Sequence, residues 1–68
     1  MHDPSIDRRT RAERHVGEGW RIIMRQRDII GQLRAAGLDT SPSERLLIDF
    51  ESSQAIFEAD LEAITKMR

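Results

Sequence analysis

Two histidines, His2 and His15, and a set of acids in the second half (Asp49, Glu51, Glu58, Asp60 and Glu62) are the side chains that acid–base or metal chemistry would draw on in this 68-residue chain. Neither histidine has the spacing for it. Neither has a His, Asp or Glu at the i+4 spacing that would build a helical metal site, since the residue four beyond His15 is Gly19, and the inward positions lack the Glu and Glu-x-x-His sets of a di-metal bundle. Glu58 and Glu62 share a face, yet a carboxylate becomes a useful acid or base only where a pocket desolvates it, and these positions read as outward. The hydroxyls of Ser41, Ser43, Ser52 and Ser53 lack a His and an acid to activate them. Cysteine is absent, which excludes thiolate nucleophiles, thiolate metal sites and disulfides. The chain therefore reads as a non-enzyme that takes no cofactor and no metal.

Arginine is the one biased class. Residues 1–36 hold eight arginines against five acids, whereas residues 37–68 hold Arg45, Lys66 and Arg68 against seven acids, for a total charge of -1. One reading is that oppositely charged segments attract and fix an antiparallel pairing. The other is a phosphate-binding face built from Arg14, Arg21 and Arg25. RNA-binding helix-bundle dimers of the plasmid copy-control Rop type are its architectural analogue. Interleaved acids, the lack of aromatics beyond Trp20 and the negative total count against RNA or DNA binding.

The elements that carry these residues follow from apolar periodicity. Val16, Gly19, Ile23, Gln26, Ile30 and Leu33 alternate at three and four residues, as do Leu47, Phe50, Gln54, Phe57, Leu61 and Ile64. Between the two stripes lies a helix stop followed by a helix start. Gly37 suits the left-handed residue of a Schellman turn, with Leu38 as its apolar contact. Ser41 reads as an N-cap, Pro42 as the first helical residue and Glu44 as the third member of a capping box. The expectation is an all-α antiparallel hairpin, with helices over about 10–36 and 42–67 and a turn over about 37–41. Asp3-Pro4 offers an earlier start to the first helix, and Thr10 with Glu13 a later one. With the later start, residues 1–9 form a flexible segment before a single domain at 10–68.

If the turn is centred near Thr40, the two stripes match layer for layer: Val16 with Ile64, Gly19 with Leu61, Ile23 with Phe57, Ile30 with Phe50 and Leu33 with Leu47. Gln26 meets Gln54, so one polar core layer of paired amides sets the register.

One seam buries too little apolar surface to offset the ordering of the chain. Apolar residues also remain outside it: Ile22, Ile29 and Ala36 on the first helix, Leu46, Ile48, Ile56, Ala59 and Ala63 on the second. Widening a stripe in this way is the pattern of a four-helix bundle. Two hairpins in a homodimer supply it, and so does docking on a larger protein. The expected interface is Ile22, Ile29, Ile56 and Ala63, together with Trp20. Trp20 either serves as a binding surface or packs over Gly19.

The run from Val16-Gly17-Glu18-Gly19 through Gln26-Arg27, Gly37-Leu38-Asp39-Thr40, Glu44-Arg45-Leu46-Leu47 and Phe50-Glu51-Ser52-Ser53-Gln54 resembles a group of short, uncharacterised helical proteins of soil and plant-associated alphaproteobacteria. The resemblance spans about residues 15–60 and rests on the Gln positions, the Gly-x-Asp-Thr turn and the Leu-Leu-x-x-Phe-Glu run. It implies a two-helix fold and brings no activity or site residue with it. No apolar run approaches the ~18 residues of a membrane span, and no signal peptide is legible at Met1-His2-Asp3-Pro4. The sequence points to a soluble, cytoplasmic, non-catalytic interaction or regulatory module; the alternative is the Rop-like nucleic-acid binder.

Overall fold

The computed structural model describes the backbone of residues 4–66 and the side chains of residues 7–66. It contains two helices, α1 (Pro4–Ala35) and α2 (Ser41–Lys66), packed against each other as a hairpin in a rod of 55 × 18 × 13 Å. Among the described residues neither helix is long and apolar enough to cross a membrane.

Of the two starts offered by the sequence, α1 takes the earlier. Proline in the first turn loses no intrahelical bond, and Asp7 in that turn complements the positive helix end. Nothing between Pro4 and Thr10 breaks a helix, so the Thr10 capping box is overrun and residues 4–9 of the segment expected to be flexible are helical. Residues 1–3 of that segment, and Met67 at the expected end of α2, lie outside the described residues.

Gly37 ends α1 as its place in the sequence suggests. Its φ is 73°, its N–H donates to the Arg34 carbonyl at 3.0 Å, and the Leu38 N–H donates to the Leu33 carbonyl at 2.9 Å. These are the two bonds of a Schellman motif. Leu38 itself stays largely exposed. The start of α2 differs by one residue from expectation. The Thr40 carbonyl accepts the first helical bond, from the Glu44 N–H at 2.9 Å, which makes Thr40 the N-cap and places Ser41 and Pro42 in the first turn. The Ser41 N–H is satisfied by Asp39 Oδ1 at 3.0 Å. Accepting from the Ser41 amide, and then from its hydroxyl, holds the Asp39 carboxyl below its ordinary value. Glu44, freed from a capping box, pairs with Arg34 at 3.1 Å.

All twelve stripe residues are buried or half-buried, so the seam runs where the periodicity places it. It also extends one turn further, to buried Ala12, which sequence reading missed. The register differs. Gly19 lies against Gln54 rather than Leu61, seven residues and thus one heptad away, and the Phe57 ring packs on His15 with centroids 5.4 Å apart. The cause is the turn: with α1 ending at Ala35 and α2 starting at Ser41, it is centred on Leu38, not Thr40. A seam with two kinds of inward position slides only in whole heptads if both kinds are to stay inside.

That slip separates the glutamines. Gln26 and Gln54 are both buried, but they do not form one amide pair. Gln26 Nε2 donates to the Ser43 carbonyl, and Gln54 Nε2 to the Val16 carbonyl, each at 2.9 Å. Each glutamine thus crosses the seam to the backbone of the other helix, in a layer of its own.

Candidate functional site

The two flanks of the seam differ in chemistry. On one, Arg27 reaches Glu51 at 3.2 Å and Arg34 reaches Glu44 at 3.1 Å, two ion pairs that bridge the helices. Such exposed pairs contribute little stability individually, but they close that flank with charge. Trp20, seven residues before Arg27, falls on this same stripe and is 43% exposed.

The other flank is open. Along α1 it follows His15, Ile22 and Ile29, spaced by seven; along α2 it carries Leu46, Ile56 and Ala63 beside the inward edges of Phe50 and Phe57. Ile22 is 47% exposed, Leu46 43% and Ile56 62%, while Ile29 is half-buried. Two shallow clefts run along it. One, of about 340 Å³, lies among Ile22, Arg25, Gln26, Ile29 and Phe50. The other, of about 400 Å³, lies nearer the chain ends, with Ala12, Phe57, Ala63 and Ile64 beneath Arg11 and Asp60. His15 lines this second cleft well inside α1, not near a helix end as the later start implied.

Four of the five residues expected at an interface, Ile22, Ile29, Ile56 and Ala63, therefore share one flank, and Trp20 lies on the opposite one. The expected phosphate-binding arginines divide in a similar way. Arg14 and Arg21 share an outward stripe that ends in Asp28, whereas Arg25 stands at the rim of the cleft between Ile22 and Ile29. All three are exposed, and among the described residues none makes an ion pair.

Gln54 is the most constrained polar side chain. It is 2% exposed, and its Oε1 has no hydrogen-bond partner among the described residues. The amide lies over Gly19, where a Cβ would overlap Oε1 and approach Cδ to 2.7 Å. Glycine in the middle of a helix costs about 1 kcal/mol relative to alanine; here it makes room for the amide. The sequence carried a signal for this, a glycine at an inward stripe position, but the register hid its partner. No three His, Asp or Glu side chains converge among the described residues as a metal ion would need. Comparison of the chain with protein-family models, with curated proteins and with solved structures returns no match.

Proposed function

We propose that the chain is a cytoplasmic, non-catalytic interaction or regulatory module that works by self-association, two hairpins closing their open flanks into a four-helix bundle. The observation that carries this reading is the gathering of Ile22, Ile29, Leu46, Ile56 and Ala63 along one flank with its two clefts, while on the other side ion pairs bridge the helices among the exposed Trp20, Met24 and Ile48. An apolar face of this kind, rimmed by charge, marks a protein contact.

The surface area points the same way. The hairpin exposes 5415 Å², whereas folded monomers of its mass expose about 4,400 Å². The excess of about 1,000 Å² is comparable with the ~800 Å² that each partner buries in a standard interface.

The test is mass and stability as functions of concentration. Light scattering should report two chains, and the unfolding midpoint should rise with protein concentration. Ile29→Glu places a charge at the centre of the flank and should yield a monomer that has lost most of its helicity, because one seam cannot offset chain entropy. A single-chain mass with helicity intact at micromolar concentration would refute self-association and favour docking on a larger protein.

A further inference from the structure

Charge on this molecule is sorted by helix. Within its described span α1 holds eight arginines against four acids; α2 holds Arg45 and Lys66 against six acids. The open flank repeats the sorting. On α1, Arg8 and Arg11 line the cleft nearer the chain ends and Arg25 the other, with the acid Glu18 midway between Arg11 and Arg25 at spacings of seven. On α2, Asp60 lines the cleft nearer the chain ends, and Asp49 precedes Ile56 by seven and Ala63 by fourteen, on one stripe. None of Arg11, Arg25, Asp49 and Asp60 makes an ion pair among the described residues.

The register sets their heights. Six residues beyond Gly19 and six before Gln54 bring Arg25 level with Ile48, next to Asp49. Eight residues in the other direction bring Arg11 level with Glu62, between Asp60 and Ala63. Ten residues towards the turn bring Ile29 level with Glu44, near Leu46. Arg25, Arg11 and Ile29 thus each have a complement on α2 at nearly the same height.

Resting on the self-association proposed above, we infer that the two hairpins pack with their turns at the same end, about a two-fold axis parallel to the helices. That rotation preserves height and lays α1 of each copy antiparallel against α2 of the other. Arg25 then meets Asp49 of the second copy, Arg11 meets Asp60, and Ile29 meets Leu46. The competing arrangement, with the axis perpendicular to the helices and the turns at opposite ends, sets α1 over α1 and α2 over α2. Helices in contact are about 8–10 Å apart, close to the screening length of ~8 Å at physiological salt, so that arrangement holds like charges where they repel. The arrangement inferred here also sends the two α1 helices to opposite corners of the bundle. The Arg14 and Arg21 stripes of the two copies then form no continuous basic face for a nucleic acid.

The absence of cysteine allows a single label. Leu38→Cys, at the exposed turn residue, carries a spin label and keeps the seam intact. Turns at one end should place the two labels about 20 Å apart, a bundle width plus tethers. Turns at opposite ends of a 55 Å rod should place them beyond about 40 Å. A long distance in a sample of dimeric mass overturns the arrangement and leaves self-association standing; a single-chain mass at every concentration overturns both. Charge reversal provides the second measurement. Arg25→Asp and Asp49→Arg should each weaken the dimer about five- to tenfold, and the double reversal should restore it to within about threefold. Failure of the double reversal to restore affinity overturns the Arg25–Asp49 pairing.

Discussion

Gly19→Ala tests the seam most sharply, because two effects of known sign oppose each other there. Alanine is favoured over glycine inside a helix by about 1 kcal/mol. At Gly19, however, the new Cβ would occupy the space of the Gln54 amide oxygen, and Gln54 is 2% exposed with α1 backbone directly above it. The amide must leave. Leaving breaks the Gln54–Val16 hydrogen bond of 2.9 Å, about 1 kcal/mol, and opens a void in the seam at the cost of roughly another 1–2 kcal/mol. The net expectation is a loss of about 1–2 kcal/mol, some 4–15 °C in melting temperature for a domain of this size. In a Gln54→Ala background the obstruction is gone, so the same Gly19→Ala change should stabilise by about 1 kcal/mol. The substitution changes sign between backgrounds, with a coupling of about 2–3 kcal/mol. Gly17 and Gly31 are internal controls: a Cβ at either meets nothing within 4 Å, so Gly17→Ala and Gly31→Ala should each stabilise by up to about 1 kcal/mol. Urea and thermal unfolding at one fixed protein concentration measure all of these, since concentration alone shifts the midpoint of a dimer. If Gly19→Ala stabilises the unaltered chain as much as Gly17→Ala does, the Gln54 amide does not sit under Gly19 and the register is wrong.

Three further outcomes follow from the same geometry. Gly37→Ala forces an L side chain into the left-handed region at φ 73° and should cost about 1–2 kcal/mol, read by chemical unfolding. Phe57→Ala should cost about 2–3 kcal/mol, less than the 3–5 of a fully buried phenylalanine, because Phe57 is half-buried beside His15. Asp39 has a depressed folded pKa, so its contribution is present above its unfolded pKa of about 4 and is lost as pH falls through the lower folded value. Asp39→Asn keeps an acceptor for the Ser41 amide but should flatten the loss of stability on acidification below about pH 4, as followed by circular dichroism.

Much of this fold is local and so was legible in the sequence. The stop at Gly37 and the two inward stripes depend on interactions within one helix or turn, and the structure has them where the residue types place them. The start of α1 was ambiguous for a local reason as well. Pro4 and Thr10 are both acceptable openings, and helix-compatible residues between them let the earlier one prevail. The register was not legible because heptad periodicity leaves it undefined by multiples of seven. A difference of two residues in the centre of the turn, Leu38 against Thr40, was enough to select the wrong multiple and to pair Gln26 with Gln54 on paper. The division of the leftover apolar residues between two flanks was readable in principle. Trp20 shares a spacing of seven with Arg27, and Ile22 shares one with Ile29; grouping them only as apolar residues outside the seam merges the two stripes.

The glutamines bear on why a hairpin of this kind would self-associate. Among the described residues its buried apolar side chains are Ala12, Ile23 and Ile30, beside which it buries two amides, and one amide oxygen has no donor. Buried amides stabilise less than apolar side chains of the same size, and an unmet acceptor costs about 1–3 kcal/mol. What they provide is discrimination. A slip of one heptad would take Gln54 away from Gly19, to Ala12 or Gln26, and take both glutamines away from their acceptors on the Ser43 and Val16 backbone, so the polar layers penalise registers that periodicity alone would allow. A seam that spends stability on register leaves the rest to be found outside it. The flank of Ile22, Ile29, Leu46 and Ile56 offers apolar surface for that purpose. The register held by Gln54 and Gly19 is also what brings Arg25 level with Asp49. The feature that weakens the single hairpin is thereby the one that aligns its open flank for a second copy.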